Sequence, residues 1–199
     1  MSRGGRIIIK IFSVSWSIIF FVILVPWLVL EISRNLDWLI FNYVFDSSLL
    51  TLLRCGTVSY VIKAIGVSLL VFGIIIFIQT WVELARAGNF FPLLTISRRH
   101  LGPEKLVTTG LYNQVRHPMF LAYAAMLTGL SLWFSSIFAV AWVVLLVVLI
   151  GITVLIDTEE RELYLWFGEE YREYQKVTPV FFPRLFHTKS HPKFGEQGK

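Results

Sequence analysis

The chain has 199 residues, of which 56% are hydrophobic and 16% are charged, and its mean hydropathy is +0.69. Soluble domains carry about 25% charged residues, so this composition argues against a soluble globular protein and excludes a disordered one. The single cysteine, Cys55, excludes an internal disulfide framework and a cysteine-based zinc cluster. The net charge of +5 is compatible with nucleic acid or with a membrane orientation, and the positions of the charges decide between them.

Four apolar runs predict membrane spans. The first, residues 11–32, would form a helix of about 33 Å, enough to cross a hydrocarbon core of about 30 Å. It is longer than the apolar region of a signal peptide and no cleavage site follows, so we expect it to be retained. The others are residues 58–82, 119–134 and 137–156, and the last two would form a tight hairpin around Ser135 and Ser136.

The segments between the spans differ from one another in composition. Residues 35–54 mix aromatic side chains with Asp37 and Asp46, which indicates an interfacial segment and leaves a fifth crossing open. Residues 87–118 form a long loop, a feature typical of functional segments. Residues 157–199 predict a helix, a turn, a second helix and an extended end. The predicted fold is therefore all-α: a multi-pass membrane bundle of four or five transmembrane helices with a cytosolic C-terminal helical cap.

The basic residues are distributed as membrane topology requires. Three precede the first span, five lie in residues 86–116 and seven follow Asp157. Residues 31–57, in contrast, contain only two basic residues and three acidic residues. By the positive-inside rule, both termini are expected in the cytoplasm. The excess charge is explained by topology and by anionic membrane lipids, and we expect no nucleic acid partner.

The stretch of residues 106–120 holds the first candidate site. Gly110 permits a tight turn, and Pro118 suits the first turn of the following span. Arg116 and His117 would then lie at the N-terminal end of that helix, where cationic side chains beside exposed backbone N–H groups form an anion site. The alternative is that both side chains only anchor the span to lipid headgroups.

A second candidate site lies where the last span leaves the membrane. The helix is expected to continue to Gly168, which places Glu159 and Glu160 just outside the hydrocarbon. Acidic residues there suit an ammonium group or ribose hydroxyls, or else form a solvated helical turn. The hairpin brings both stretches to one face, with Tyr112 as an aromatic wall. Such a site is compatible with a zwitterionic ligand that has a flat ring, such as S-adenosylmethionine.

These residues resemble the isoprenylcysteine carboxyl methyltransferase family and, more distantly, the phospholipid methyltransferases. The shared pattern covers about 80 C-terminal residues, and its ordered set of motifs is specific although each motif alone is weak. It is represented by Leu106, Val107, Gly110, Tyr112, Arg116-His117-Pro118, Glu159-Glu160, Phe167-Gly168, Tyr171, Tyr174 and Pro179.

The resemblance implies an integral membrane methyltransferase that uses S-adenosylmethionine, needs no metal, and methylates a lipophilic small molecule or lipid at the cytosolic face. Residues 1–86 would be the N-terminal spans with the interfacial segment, and residues 87–199 the catalytic region. Arg116 and His117 are the implied catalytic residues. The implied cofactor-binding residues are Leu106, Val107, Tyr112, His117, Pro118, Phe120, Glu159 and Glu160.

Two departures from the family pattern affect the expected substrate. Phe120 replaces a tyrosine, which removes one hydroxyl contact. Leu155 stands where the protein-prenylating branch has an arginine that holds its carboxylate substrate, which leaves other lipophilic acceptors open.

Two other classes of function compete with this interpretation. Membrane sterol and steroid reductases share a similar hairpin and would use a nicotinamide cofactor, but the Phe-Gly-x-x-Tyr-x-x-Tyr ending favours a methyltransferase. A non-enzymatic scaffold or transporter subunit is less favoured, because the predicted spans hold no ionisable group except Lys63 near one end. The sequence leaves the oligomeric state open.

Overall fold

A computed structural model describes residues 19–43, 56–87, 105–150 and 158–181. All regular elements in these ranges are helical, which confirms the all-α class. A π-helical turn, Ile19–Leu24, leads into α1 (Val25–Tyr43), and a 3-10 turn, Gly110–Asn113, precedes α3. The other helices are α2 (Gly56–Arg86), α3 (Pro118–Trp133), α4 (Ile137–Ile150), α5 (Glu160–Phe167) and α6 (Glu169–Val177).

Helix α2 is the one helix in the described ranges that is long and apolar enough to cross a membrane by itself. It has 31 residues, and only 11% of its most apolar 18-residue window is buried. A core helix of a soluble protein would bury most of such a stretch, so the exposed side chains of α2 suit a lipid environment. The predicted span at residues 58–82 is therefore confirmed as a helix, with further residues at both ends.

Small residues allow α2 and α3 to pack closely. Ser59, Gly66, Gly73 and Thr80 recur every seven residues on the buried face of α2. A Cβ atom on Gly66 would lie 2.8 Å from the carbonyl oxygen of Gly129, and one on Gly73 would be as crowded against α3. Interfaces in membranes favour such residues because backbone packing replaces the hydrophobic effect there. This contact fixes the antiparallel register that places the C-terminal end of α2 beside the 3-10 turn.

The predicted hairpin of α3 and α4 is confirmed in the described residues. Phe134, Ser135 and Ser136 connect the helices, and Ser135 adopts a φ of +52°. The Ser136 hydroxyl accepts a hydrogen bond from the Ala139 N–H at 3.2 Å and so caps the start of α4. The described part of α4 ends at Ile150, and residues 151–157 lie outside the described ranges.

A helix crosses the boundary predicted between the first span and the interfacial segment, and the interfacial position of residues 35–54 stays a prediction. Helix α1 continues without a break through Tyr43, since no glycine or proline interrupts residues 32–43. The Asp37 carboxylate is satisfied within the helix bundle: Asp37 is fully buried and accepts hydrogen bonds from the Ser136 hydroxyl at 2.5 Å and the Phe138 N–H at 3.1 Å. Residues 11–18 and 44–54 of these predictions lie outside the described ranges.

Replacing Asp37 with alanine should destabilise the helix bundle. The change would leave the buried Ser136 hydroxyl and the partly buried Phe138 N–H without their acceptor, and hydrogen bonds to a carboxylate contribute about 1.5–3 kcal/mol. We expect a loss of about 2 kcal/mol in unfolding free energy, measured in mixed micelles. The partly exposed Glu31, which pairs with Arg34 one turn away, provides the control Glu31→Gln, for which little change is expected. Equal stability of the two variants would contradict a structural role for Asp37.

Candidate functional site

The C-terminal segment after α6 covers the start of α3. The Arg116 N–H donates to the Pro179 carbonyl at 2.9 Å, and the His117 N–H donates to the Val180 carbonyl at 3.3 Å. Pro118 occupies the first turn of α3, as predicted. The N–H groups of these two residues therefore have acceptors in the returning chain, and the predicted anion site at the start of α3 stays a prediction.

The side chains of Arg116, His117, Glu159 and Glu160 meet in one cluster. The Arg116 guanidinium lies 3.2 Å from Glu160 Oε1, and both side chains are about nine-tenths buried. His117 Nε2 lies 3.2 Å from the same oxygen, and His117 Nδ1 lies 3.7 Å from Glu159 Oε2. The hairpin therefore brings the two predicted stretches together at its open end, opposite the Ser135–Ser136 turn.

The two adjacent glutamates have different surroundings. Glu160 is held on both carboxylate oxygens, because Gln175 Nε2 donates to Oε2 at 2.9 Å while Arg116 and His117 contact Oε1. The Glu159 side chain is twice as exposed, 18% against 9% for Glu160. Glu160 is thus the internal partner of the two basic side chains, and Glu159 is the more accessible carboxylate.

Tyrosines connect helix α6 to the 3-10 turn. The Tyr174 hydroxyl donates to the Tyr112 carbonyl at 2.6 Å, and the Tyr171 and Tyr174 rings lie 5.9 Å apart. Burial raises the pKa of the Tyr112 hydroxyl well above its ordinary value, and the neighbouring Tyr174, Glu159 and Glu83 add to this rise. Burial also raises the pKa of the Tyr174 hydroxyl, so both phenols remain neutral hydrogen-bond donors at physiological pH.

The remaining predicted residues lie in the segment before the 3-10 turn and at the start of α3. Leu106 and Val107 lie half-buried in the extended segment before the 3-10 turn. Phe120 lies in the first turn of α3, and its ring centroid is 5.6 Å from that of Phe181. Phe181 also lies 6.2 Å from the His117 ring, so it covers one side of the cluster. The lost tyrosine hydroxyl at position 120 is thus accompanied by an aromatic contact.

Three contributors were not predicted from the sequence. Gln175 follows the Tyr171 and Tyr174 motif directly, yet its amide contacts a residue fifteen positions earlier. Phe181 acts through the return of the chain, which the sequence shows only as an extended end. Glu83, at the end of α2, accepts a hydrogen bond from the Leu111 N–H. A signal existed for Glu83: it is an acidic residue at the end of a predicted span.

The described residues fit a ligand with both positive and negative groups. Arg116 Nε and Thr178 Oγ1 are buried polar atoms that have no hydrogen-bond partner among them. Native proteins rarely leave such atoms unpaired, so a water, a ligand group or a residue outside the described ranges is expected to pair with them. No group of three His, Cys, Asp or Glu side chains within the described ranges is arranged to hold a metal ion, and independence from metal stays a prediction.

Comparison with known proteins assigns the class. The profile of the phospholipid methyltransferase family matches residues 61–170, more than half of the chain. The chain therefore belongs to the phospholipid methyltransferase family, which contains S-adenosylmethionine-dependent membrane methyltransferases. The matched range includes Arg116, His117, Glu159 and Glu160, and it ends just before Tyr171.

Individual relatives carry different names. The chain is 38% identical over 104 residues to the cobalt-zinc-cadmium resistance protein CzcN of Cupriavidus metallidurans, covering 52% of this chain and 46% of that protein. It is 32% identical over 91 residues to a methanethiol S-methyltransferase of Crocosphaera subtropica, 45% of this chain and 34% of the relative. It is also 30% identical over 102 residues to the protein-S-isoprenylcysteine O-methyltransferase of Schizosaccharomyces pombe. That match covers 51% of this chain and 42% of the relative.

The matched segments thus span less than half the length of these relatives. The isoprenylcysteine methyltransferase relative confirms the resemblance inferred from the motifs. The name of the resistance protein states no reaction. No solved structure matches this chain significantly.

Proposed function

We propose that the protein is an S-adenosylmethionine-dependent methyltransferase that acts on a lipophilic acceptor at the cytosolic face of a membrane. The observation that carries the proposal is the buried cluster of Arg116, His117, Glu159 and Glu160 at the open end of the hairpin. The acceptor would be the carboxylate, amine or thiol of a lipid or isoprenoid-type molecule. In this proposal four spans anchor the chain, and residues 87–199 form the catalytic region with both termini in the cytoplasm.

The charge balance of the cluster favours this cofactor. Two carboxylates face one guanidinium and one imidazole, so the cluster offers anionic as well as cationic groups to a ligand. S-adenosylmethionine carries a carboxylate, an ammonium and a sulfonium, and is therefore a net cation. Electrostatic complementarity of this kind raises specificity. Nicotinamide dinucleotides carry several negative phosphates, which the two glutamates would oppose.

Each residue has a place in this proposal. Glu159, the more accessible carboxylate, would hold the ammonium or the ribose hydroxyls. The unpartnered Nε of Arg116 would orient a carboxylate of the cofactor or acceptor. Tyr112, Leu106, Val107, Pro118 and Phe120 would supply walls, and Phe181 and the segment before it would exclude water. When bound, the cofactor supplies an electrophilic methyl group on its sulfonium, so alignment of the acceptor and desolvation provide much of the catalysis.

The acceptor is proposed to enter from the bilayer. Helix α2 exposes a continuous apolar surface, and its C-terminal end adjoins the 3-10 turn that leads to the cluster. The named reactions of two relatives place the methyl group on the sulfur of methanethiol and on isoprenylcysteine, which supports a sulfur or carboxylate acceptor here. A prenylcysteine carboxylate is less favoured, because Leu155 stands at the position of the substrate-holding arginine.

Thermal stabilisation by S-adenosylhomocysteine, compared with that by NADPH, tests the proposal. The purified protein in detergent should be stabilised by S-adenosylhomocysteine and not by NADPH, because only ligands that bind the folded state raise its unfolding temperature. At a ligand concentration about 100-fold above the Kd, about 2.7 kcal/mol of stabilisation is expected. Stabilisation by NADPH alone would instead support a reductase. No effect of either ligand would favour the scaffold interpretation.

Replacing His117 with alanine should weaken cofactor binding without preventing membrane insertion. The imidazole lies between Glu160 and Glu159, so its loss frees both carboxylates to shift. We expect the Kd for S-adenosylhomocysteine to rise about 10-fold, corresponding to about 1.4 kcal/mol. Isothermal titration calorimetry gives the Kd, and carbonate extraction of membranes checks insertion. Unchanged affinity would favour the headgroup-anchor interpretation of His117.

A further inference from the structure

A carboxylate on the membrane helix α2 holds the 3-10 turn before the site. Both Oε atoms of Glu83 accept the Leu111 N–H, at 3.2 and 3.1 Å. Glu83 lies 28 residues before Leu111, so this contact joins the long span directly to the loop motif. A hydrogen bond to a charged acceptor is stronger than one between neutral groups.

The contact between Glu83 and Leu111 requires a glycine at position 110. Gly110 has a φ of +60°, which L side chains rarely adopt, and a Cβ atom built on it would collide with the Glu83 carboxylate. Glycine at position 110 thus both allows the turn and leaves the space in which the Glu83 carboxylate reaches the Leu111 N–H. The two residues form one unit, which we name the Glu83 clamp.

The clamped turn is also held from the cytosolic side. The Tyr174 hydroxyl donates to the Tyr112 carbonyl, one residue beyond Leu111. The Leu111 carbonyl accepts the Val115 N–H at 3.1 Å, directly before Arg116. The turn is therefore fixed by α2 on one side and by α6 on the other, and it leads within a few residues to the charged cluster.

We propose that Glu83 is a positioning residue of the methyltransferase site: by clamping the Leu111 N–H it fixes the turn that carries Tyr112 and leads into Arg116 and His117. This inference rests on the proposed function. It assigns the membrane helix a part in forming the cofactor site, in addition to anchoring the chain. Burial raises the pKa of the Tyr112 hydroxyl, and the nearby Glu83 carboxylate adds to this rise, as expected if Glu83 lies close to the turn.

A double-mutant cycle with S-adenosylhomocysteine as the probe tests the clamp. We expect Glu83→Ala to raise the Kd about 10-fold and Glu83→Gln, which keeps one acceptor oxygen, to raise it less than about 3-fold. Gly110→Ala should weaken binding strongly when Glu83 is present. It should add clearly less in the Glu83→Ala background, because the colliding carboxylate is gone. Glu31→Gln, on α1, is the matched control and should change nothing.

Amide hydrogen exchange of the full-length protein in detergent provides the independent readout. The Leu111 amide should be protected in the unaltered protein and exchange faster in Glu83→Ala. Loss of that protection with an unchanged Kd would overturn the positioning role and leave a purely structural contact. Unchanged protection in Glu83→Ala would overturn the clamp itself. If the unaltered protein bound no S-adenosylhomocysteine, the proposed function and the positioning role would fail together, while the exchange data would still decide whether the clamp exists.

Discussion

Replacement of Glu159 by alanine is expected to abolish detectable cofactor binding while the protein stays folded. Glu159 is the more accessible carboxylate of the cluster, and its charge balances the cationic groups of S-adenosylmethionine in our proposal. Charge-assisted hydrogen bonds in a buried site contribute about 1.5–3 kcal/mol each. Loss of its contacts to the ammonium or to the ribose hydroxyls would therefore weaken binding by about 100-fold. Calorimetric titration with S-adenosylhomocysteine measures this loss.

The control for Glu159 is another glutamate in the same helical cap. Glu169 begins α6, is 69% exposed at its side chain and pairs with Arg172 one turn away. Glu169→Ala should leave the Kd and the unfolding temperature nearly unchanged. Glu159→Gln keeps the size of the side chain and removes its charge, so it separates electrostatics from shape. Full affinity of Glu159→Ala would remove this residue from the cofactor site.

Replacement of the adjacent Glu160 by alanine is expected to act mainly on stability. The change would leave the Arg116 guanidinium buried without its carboxylate partner, and the Gln175 amide would lose its acceptor. Removing one partner of a buried ion pair costs about 3–5 kcal/mol, a large part of the stability of a small domain. We therefore expect Glu160→Ala to unfold at much lower temperature than the unaltered protein.

Two further variants keep this prediction testable if Glu160→Ala does not fold. Glu160→Gln retains a carbonyl oxygen for Arg116 or His117 and should lose less stability. Glu173→Ala removes an exposed glutamate of α6 that pairs with Lys176, and should cost no more than about 0.5 kcal/mol. If Glu160→Ala were as stable as Glu173→Ala, Glu160 would not be the internal partner that the geometry shows.

The hairpin and its site could be predicted because both depend on local signals. The apolar runs 119–134 and 137–156 are separated only by Ser135 and Ser136, and such a short connection predicts two antiparallel helices. Antiparallel helices then bring the residues at their far ends together, which is why Arg116 and Glu160 could be placed near each other. Gly168 ends α5 with a φ of +56°, as expected of a glycine in that position.

Features that depend on distant partners were not predictable in this way. The sequence does not reveal that Ser136 and Phe138, about one hundred residues later, satisfy the Asp37 carboxylate, so the continuation of α1 to Tyr43 was not predicted. The backbone N–H groups of Arg116 and His117 are covered by Pro179 and Val180 for the same reason. Backbone pairing between segments far apart leaves no mark in the local pattern of residue types.

Transfer of a labelled methyl group tests the central claim most directly. Membranes that contain the protein, from the cell in which it naturally occurs, would be incubated with S-adenosylmethionine tritiated in its methyl group. We predict that tritium enters the organic extract with the unaltered protein and with Glu169→Ala, and not with Glu159→Ala. Absence of tritium from the organic extract with the unaltered protein, or equal incorporation with Glu159→Ala, would contradict a lipid-directed methyltransferase built on this cluster.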